Sequence, residues 1–326
     1  MLNTRETIQK MNILGKKRLP FLFIIDYETN RNFVWEPHEI NPQEILFKIN
    51  DYTNNHNLDK PPLPDPVIFK ISPPPYPLYE KSFHQVRKHL VQGNSYLVNL
   101  TFPSEISTNL KLEEIFYHAN APYKLLMKDK FVVFSPETFI RINNNKISSY
   151  PMKGTIDASI PNAKKTILND PKETAEHNTI VDLIRNDLSM VSYNVKLTSF
   201  RHLSIIKTPH KNLFQISSEI TGEIPPDFYD TLGTSFFKLL PAGSICGAPK
   251  MKTLDIISEL EIYERGFYTG VFGYFDGKSL ESAVMIRFIE QTGSKYQFKS
   301  GGGITAWSDC KKEYQELIDK VYVPFT

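Results

Sequence analysis

Five apolar residues in succession, Phe21 to Ile25 of FLFIIDY, form the pattern of a strand buried on both faces. A second apolar stretch, Ile45 to Ile49, reads as an amphipathic helix. The proline-rich runs PPLPDP and SPPPYP follow, and they read as a connection into the next part of the fold. A soft boundary near Pro77 separates an N-terminal segment, 1–78, from a longer region, 79–326. In that region helical spacings (Phe83 to Gln92, Lys111 to His118) alternate with strand-like runs (Tyr96 to Phe102, Phe131 to Phe134, Ile140 to Ile142, Ile147 to Tyr150). This mixture predicts an α+β or α/β fold.

Two segments announce helices that carry paired carboxylates. In NDPKETAEHNTIVDLIRNDL, Asp170 is placed to cap, Pro171 to occupy the first helical position and Glu173 the third. Glu173 and Glu176 then fall three apart on one face. SDCKKEYQELIDK repeats the design, with Ser308 or Asp309 as cap and Glu313 and Glu316 again three apart. Hard oxygen ligands of this kind suit Mg²⁺, which takes one or two carboxylates and keeps several waters. Acidic residues near helix N-termini are also favoured by the macrodipole alone, so each pair by itself is ambiguous.

Three loops add candidate chemistry. PAGSICGAPKMKTLDIISELE runs from a glycine-rich turn into a helix, with Pro249 at the first helical position and Met251, Leu254, Ile257 and Leu260 as its core stripe. Its free N–H groups suit an anion, although the glycine spacing is not that of a nucleotide-binding loop. KSGGGIT allows backbone donors to approach a carboxylate closely, and SSYPMKGTI holds Lys153 between a proline and a glycine.

The bulk properties narrow the partners. A formal net charge of +2 over 326 residues leaves no electrostatic footprint for nucleic acid. With two cysteines, Cys246 and Cys310, a disulfide framework or four-thiolate metal site is excluded. No stretch approaches a membrane helix and the N-terminus lacks a signal-peptide pattern, so a soluble, cytoplasmic protein is expected.

Taken in order, GNSYLVNLTF, FSPETF, PMKGT, ETAEHNTIVDLIRNDL, PAGSICGAPK, RGFYTGVFGY, Ile286-Arg287 and GGGITAWSDCKKEYQE resemble the chorismate-utilising enzymes, over about Tyr79 to Lys320. The resemblance implies two large, mostly antiparallel sheets packed face to face with outer helices, the active site in a cleft between the halves. It implies that 79–326 is the catalytic region, to whose fold 1–78 contributes as a shortened segment. It also implies that Glu176 and Glu316 hold Mg²⁺, supported by Glu173 and Glu313. Tyr268 and Arg287 would receive the enolpyruvyl carboxylate near Gly301, Gly302 and Gly303, with Gly154, Thr155, Ser244, Gly247 and Ala248 completing the substrate site.

Anthranilate- and isochorismate-forming members resemble one another in carrying alanine in the middle of the PMKGT element, while many members that form 4-amino-4-deoxychorismate, the precursor of p-aminobenzoate and folate, carry lysine, as this sequence does at Lys153. Lys153 would then attack the ring, with Glu137 protonating the departing hydroxyl. Leu97 stands where isochorismate- and salicylate-forming members have a lysine base. Phe214 is read as replacing a histidine that precedes a Leu-Val-Ser element. Neither cysteine sits in a Gly-x-Cys-x-Gly turn, so the ammonia is expected from a glutamine amidotransferase partner. An anthranilate-forming enzyme and a non-catalytic chorismate-binding subunit remain as alternatives.

Overall fold

The computed structural model describes residues 1–55, 60–207 and 212–325, without the side chains of Lys153, Thr155, Lys172, Ile206, Lys207 and Leu213. Helix α1 (Thr4–Lys16) precedes strands β1 (Phe21–Ile25), β2 (Phe33–Trp35), β3 (Ile45–Ile49), β4 (Tyr52–Thr53) and β5 (Phe69–Ser72). Then come α2 (Tyr76–Val91), β6 (Leu97–Thr108), α3 (Leu112–His118), β7 (Tyr123–Met127), β8 (Phe131–Ser135), β9 (Thr138–Asn143), β10 (Lys146–Ser149) and β11 (Met152–Asp157). Helices α4 (Ala163–Asn169) and α5 (Pro171–Ser189) lead to β12 (Tyr193–Lys207) and β13 (Asn212–Glu223). The chain continues through α6 (Leu232–Lys238), β14 (Gly247–Ala248) and α7 (Lys250–Leu260). It closes with β15 (Val271–Phe275), β16 (Leu280–Val284), β17 (Phe288–Thr292), β18 (Lys295–Ile304) and α8 (Cys310–Asp319).

The strands form two antiparallel sheets. One runs β11-β13-β10-β9-β16-β15-β1-β2, with β12 on β13; the other runs β14-β6-β18-β17-β8-β7-β3-β4, with β5 on β6. Alternation along β1 explains why FLFII is apolar throughout: Leu22 and Ile24 enter the core between the sheets, while Phe21, Phe23 and Ile25 enter the core under the helices. Burying one such side chain stabilises by about 1.5–3 kcal/mol.

The same alternation corrects the helix expected at Ile45 to Ile49. These residues are β3: Ile45, Phe47 and Ile49 face the inter-sheet core, Leu46 the α3 side, and Lys48 solvent. A strand with both faces covered shows no period of two, so its apolar run imitates a helix. The stripe expected on α7 holds at Leu254, Ile257 and Leu260 and fails at Met251. Thr253, Ile256, Ile257 and Leu260 are buried, whereas Met251 is 76% exposed. Pro249 is the residue before α7 rather than its first position, and Pro77 lies in the first turn of α2. The PPLPDP run joins β4 to β5, its carbonyls Pro61 and Pro66 accepting from His118 and Asn109.

One ionic group is sealed inside. Arg265 donates to both oxygens of Glu261 at 2.7 Å, the two side chains being 1% and 3% exposed. Glu261 also accepts from the Thr101 amide and hydroxyl at 3.0 and 2.7 Å. Glu261→Ala would leave a buried guanidinium uncompensated, so a loss of about 3–5 kcal/mol is expected in urea unfolding. A midpoint unchanged from the wild type would show that the pair has no such role.

Candidate active site

The α5 start forms as its sequence specifies. The Asp170 carboxylate accepts from the Glu173 amide at 3.0 Å, and Pro171 opens the helix. This cap fixes the rotation of the first two turns, so that Glu173 and Glu176 both line a cleft of about 440 Å³. On α8, Asp309 caps by accepting from the Lys312 amide at 3.0 Å. Glu316 lines the same cleft; Glu313 is 3% exposed, behind it.

Glycines bring the sheets up to these carboxylates. Gly154 sits at φ +71° in an irregularity of β11, and a Cβ there would lie 3.0 Å from Glu173 Oε2. At Gly302 a Cβ would lie 3.6 Å from Glu316 Oε1 and 3.7 Å from both Glu313 Oε2 and Lys320 Nζ. The acidic pairs therefore face glycine positions on different sheets. Among the described residues, no three acidic, imidazole or thiol side chains converge tightly enough to hold an ion by themselves. One carboxylate from each of two helices, completed by water and an anionic ligand, nevertheless matches the donor set that Mg²⁺ prefers.

The opposite wall is cationic and acid-bearing. Ser244 donates to Glu137 Oε1 at 2.5 Å, which orients that carboxyl group at the β8–β9 corner. Tyr268 is buried, and burial pushes its phenol well above the usual tyrosine range. Arg287 adopts φ +52°, a costly conformation for an arginine and one that aims it from the end of β16 into the cleft. It donates to the Lys320 carbonyl and stands 4.6 Å over the Tyr322 ring. Burial lowers its pKa from the usual arginine value, with Tyr322 and Tyr268 opposing. Among the described residues no carboxylate lies within ion-pair distance of it, so an anionic ligand would find the guanidinium available.

Some expected site residues play other parts. Gly247 and Ala248 pair with Val98 and Leu97 and do not line the cleft; a Cβ on Gly247 would come within 1.9 Å of the Leu97 carbonyl. Leu97 itself is core. Gln215, rather than Phe214, is the β13 residue that lines the cleft, since neighbours on a strand point to opposite faces. Backbone positions Lys153 and Thr155 lie on β11 beside cleft-lining Met152, Gly154 and Ile156, while their side chains are outside the described set. Ser244, Tyr268, Arg287 and Gly301 to Gly303 all line the cleft, as do Glu137, Glu173, Glu176 and Glu316.

Sequence reasoning missed Lys320. Its ammonium sits 2.7 Å from Glu316 Oε1 and donates to the Gly301 carbonyl at 2.8 Å. The i,i+4 spacing of Glu316 and Lys320 was the available signal. Asn99, inside GNSYLVNLTF but given no role there, and Lys299 also line the cleft.

Comparison with known proteins fits this arrangement. The chorismate binding enzyme family matches residues 7–325. An uncharacterized PabA-like protein of Haemophilus influenzae is 48% identical over 317 residues, 97% of this chain and 96% of the relative. Component 1 of aminodeoxychorismate synthase from Salmonella typhimurium is 33% identical over 74% of this chain, which covers 56% of that protein. The menaquinone-specific isochorismate synthase of Escherichia coli shares the fold at a TM-score of 0.75, with 14% identity over 98% of this chain and 81% of that one. Among the described residues no helix is long and apolar enough to cross a membrane.

Proposed function

The chain belongs to the chorismate binding enzyme family and is related to aminodeoxychorismate synthase; on that premise we propose that it converts chorismate and ammonia into 4-amino-4-deoxychorismate and water. The observation that carries the proposal is Lys153 on β11, at the register irregularity where Gly154 meets Glu173 and the strict alternation of faces is interrupted, beside the cleft shared by Glu137, Arg287, Glu173, Glu176 and Glu316.

In this reading Arg287 and Tyr268 receive the enolpyruvyl carboxylate, an arrangement supported by a buried guanidinium that lacks a carboxylate partner among the described residues. Glu176 and Glu316, with Glu173 and Glu313 in support, would hold Mg²⁺, which when bound neutralises the ring carboxylate. The Lys153 amine forms a bond to ring carbon 2 as the carbon 4–oxygen bond breaks. Glu137, oriented by Ser244, supplies the proton with which the hydroxyl leaves as water. Ammonia then forms the bond to carbon 4 as the lysine–carbon 2 bond breaks, which restores the ring double bonds and the amine.

Competing chemistries have weaker support in the residues. Leu97 provides no base to activate water for isochorismate formation. Phe214 brings no proton-transferring group where the resemblance expects a histidine, and Gln215, the β13 residue at the cleft, has an amide that cannot exchange a proton at neutral pH, so loss of the enolpyruvyl group is unassisted from β13. Ammonia must come from elsewhere: burial pushes the Cys246 thiol up to about 11 and raises that of Cys310, so neither is the activated thiolate of a glutaminase. A separate glutamine amidotransferase subunit supplies it, and the product feeds p-aminobenzoate and folate synthesis in the cytoplasm.

The purified chain, incubated with chorismate, Mg²⁺ and ammonium and then with aminodeoxychorismate lyase, should yield p-aminobenzoate only after the lyase is added. Anthranilate and pyruvate appearing before it would replace this proposal with the anthranilate-forming alternative.

A further inference from the structure

A second cavity, of about 820 Å³, is bounded by α7, the turn after β1 and the segment that follows α7, through Tyr27, Leu254, Ser258, Glu261, Glu264 and Arg265. It meets the catalytic cleft across a thin septum. Arg265 walls the second cavity, yet its guanidinium donates to the carbonyls of Ile245 at 2.9 Å and Asn99 at 2.8 Å, both residues of the cleft. Lys299 makes the reverse connection: it lines the cleft and donates to the carbonyls of Arg265 at 3.1 Å and Glu264 at 3.4 Å, which belong to the second cavity. The septum is therefore about one side chain thick.

Its composition is unusual for a plain wall. Tyr27 packs under Arg265, 4.7 Å from the guanidinium carbon to the ring centre. The Tyr27 hydroxyl is buried with no nitrogen or oxygen partner among the described residues and faces the Cys246 thiol. A buried hydroxyl with only a weak thiol partner is a group that a small polar guest would satisfy better. The Cys246 carbonyl in turn accepts from the Asn99 amide at 2.8 Å, which carries the polar path to the cleft.

We propose that the second cavity is the inlet by which neutral ammonia reaches the catalytic cleft, crossing the septum between Tyr27, Cys246 and Arg265. The inference rests on the amination proposed above. Ammonia both donates and accepts, so it can pass from the Tyr27 hydroxyl to the Cys246 carbonyl, which among the described residues accepts from the Asn99 amide alone. Arg265 and Lys299 are already paired with Glu261 and Glu290, and neutral ammonia crosses such a sealed wall without the desolvation cost that ammonium would meet. Chorismate, a dianion many times larger, uses the open cleft, so the two reactants arrive without competing for one opening.

The test fills the inlet at positions remote from the cleft. Leu254→Trp/Ser258→Trp should raise the KM for ammonia about tenfold or more, with chorismate affinity by calorimetry within about twofold of the wild type. A second route avoids any folding defect: Ser258→Cys in a Cys310→Ser background is purified, assayed, modified with a bulky maleimide and assayed again. Buried Cys246 stays unmodified. An ammonia KM that ignores both kinds of filling overturns the inlet and leaves the amination intact. A wild-type protein that forms no aminated product from ammonium overturns the functional proposal itself and, with it, the inlet.

Discussion

Glu316→Gln is expected to lower magnesium-dependent turnover by on the order of 10³-fold, about 4 kcal/mol of barrier. The substitution keeps the shape of the side chain and removes the charge that α8 presents to the cleft. Lys320 keeps its bond to the Gly301 carbonyl, so the surrounding backbone has a reason to stay in place. Binding of Mn²⁺ followed by paramagnetic resonance separates the two possible causes of a lost activity. The expected result is weaker ion binding with a normal unfolding midpoint; full turnover or unchanged ion affinity would remove Glu316 from the proposed ligand set.

Lys153→Ala should be as damaging, on the order of 10³-fold in amination rate, because the attacking amine disappears while the cleft remains. Residual product would come from direct attack of ammonia on the ring and should rise linearly with ammonium. The sharper readout is covalent. Wild-type protein quenched during turnover should show a mass increase equal to chorismate less one water on the peptide carrying Lys153. The variant should show none. A wild-type rate in the variant, or an adduct mapped to another residue, would exclude the lysine route.

How much of this was legible in the sequence depended on whether the signal was local. Asp170, Pro171 and Glu173 mark the start of α5 because capping is settled within one helical turn. The carboxylate pairs were legible for the same reason. β3 was not, because the covering of both its faces is decided by α3 and by the other sheet. Likewise, Met251 is the member of the expected α7 stripe that stays exposed, while Leu254, Ile257 and Leu260 pack on the core and Thr253 and Ile256 join them. The sheet orders join strands far apart in the chain, and the expectation of two antiparallel sheets came from family resemblance rather than from periodicity. At the site, Glu137, Tyr268 and Arg287, which the resemblance singles out, line the cleft, whereas Gly247, which it also names, packs its backbone on Leu97. On β13 it is Gln215 and not Phe214 that lines the cleft, since a single step along a strand changes the face.

The position of β1 has a consequence for synthesis. Phe21 pairs with Phe275 and Ile25 with Val271, so the first strand is completed by a segment made near the end of translation. At elongation rates of about 5–20 residues per second, that partner emerges on the order of tens of seconds later. Until then FLFII, wholly buried in the finished protein, has only β2 beside it. A nascent chain in that interval presents a flat apolar edge to its neighbours on the polysome, and cellular yield should depend on holdase chaperones more steeply than the stability of the folded enzyme would suggest.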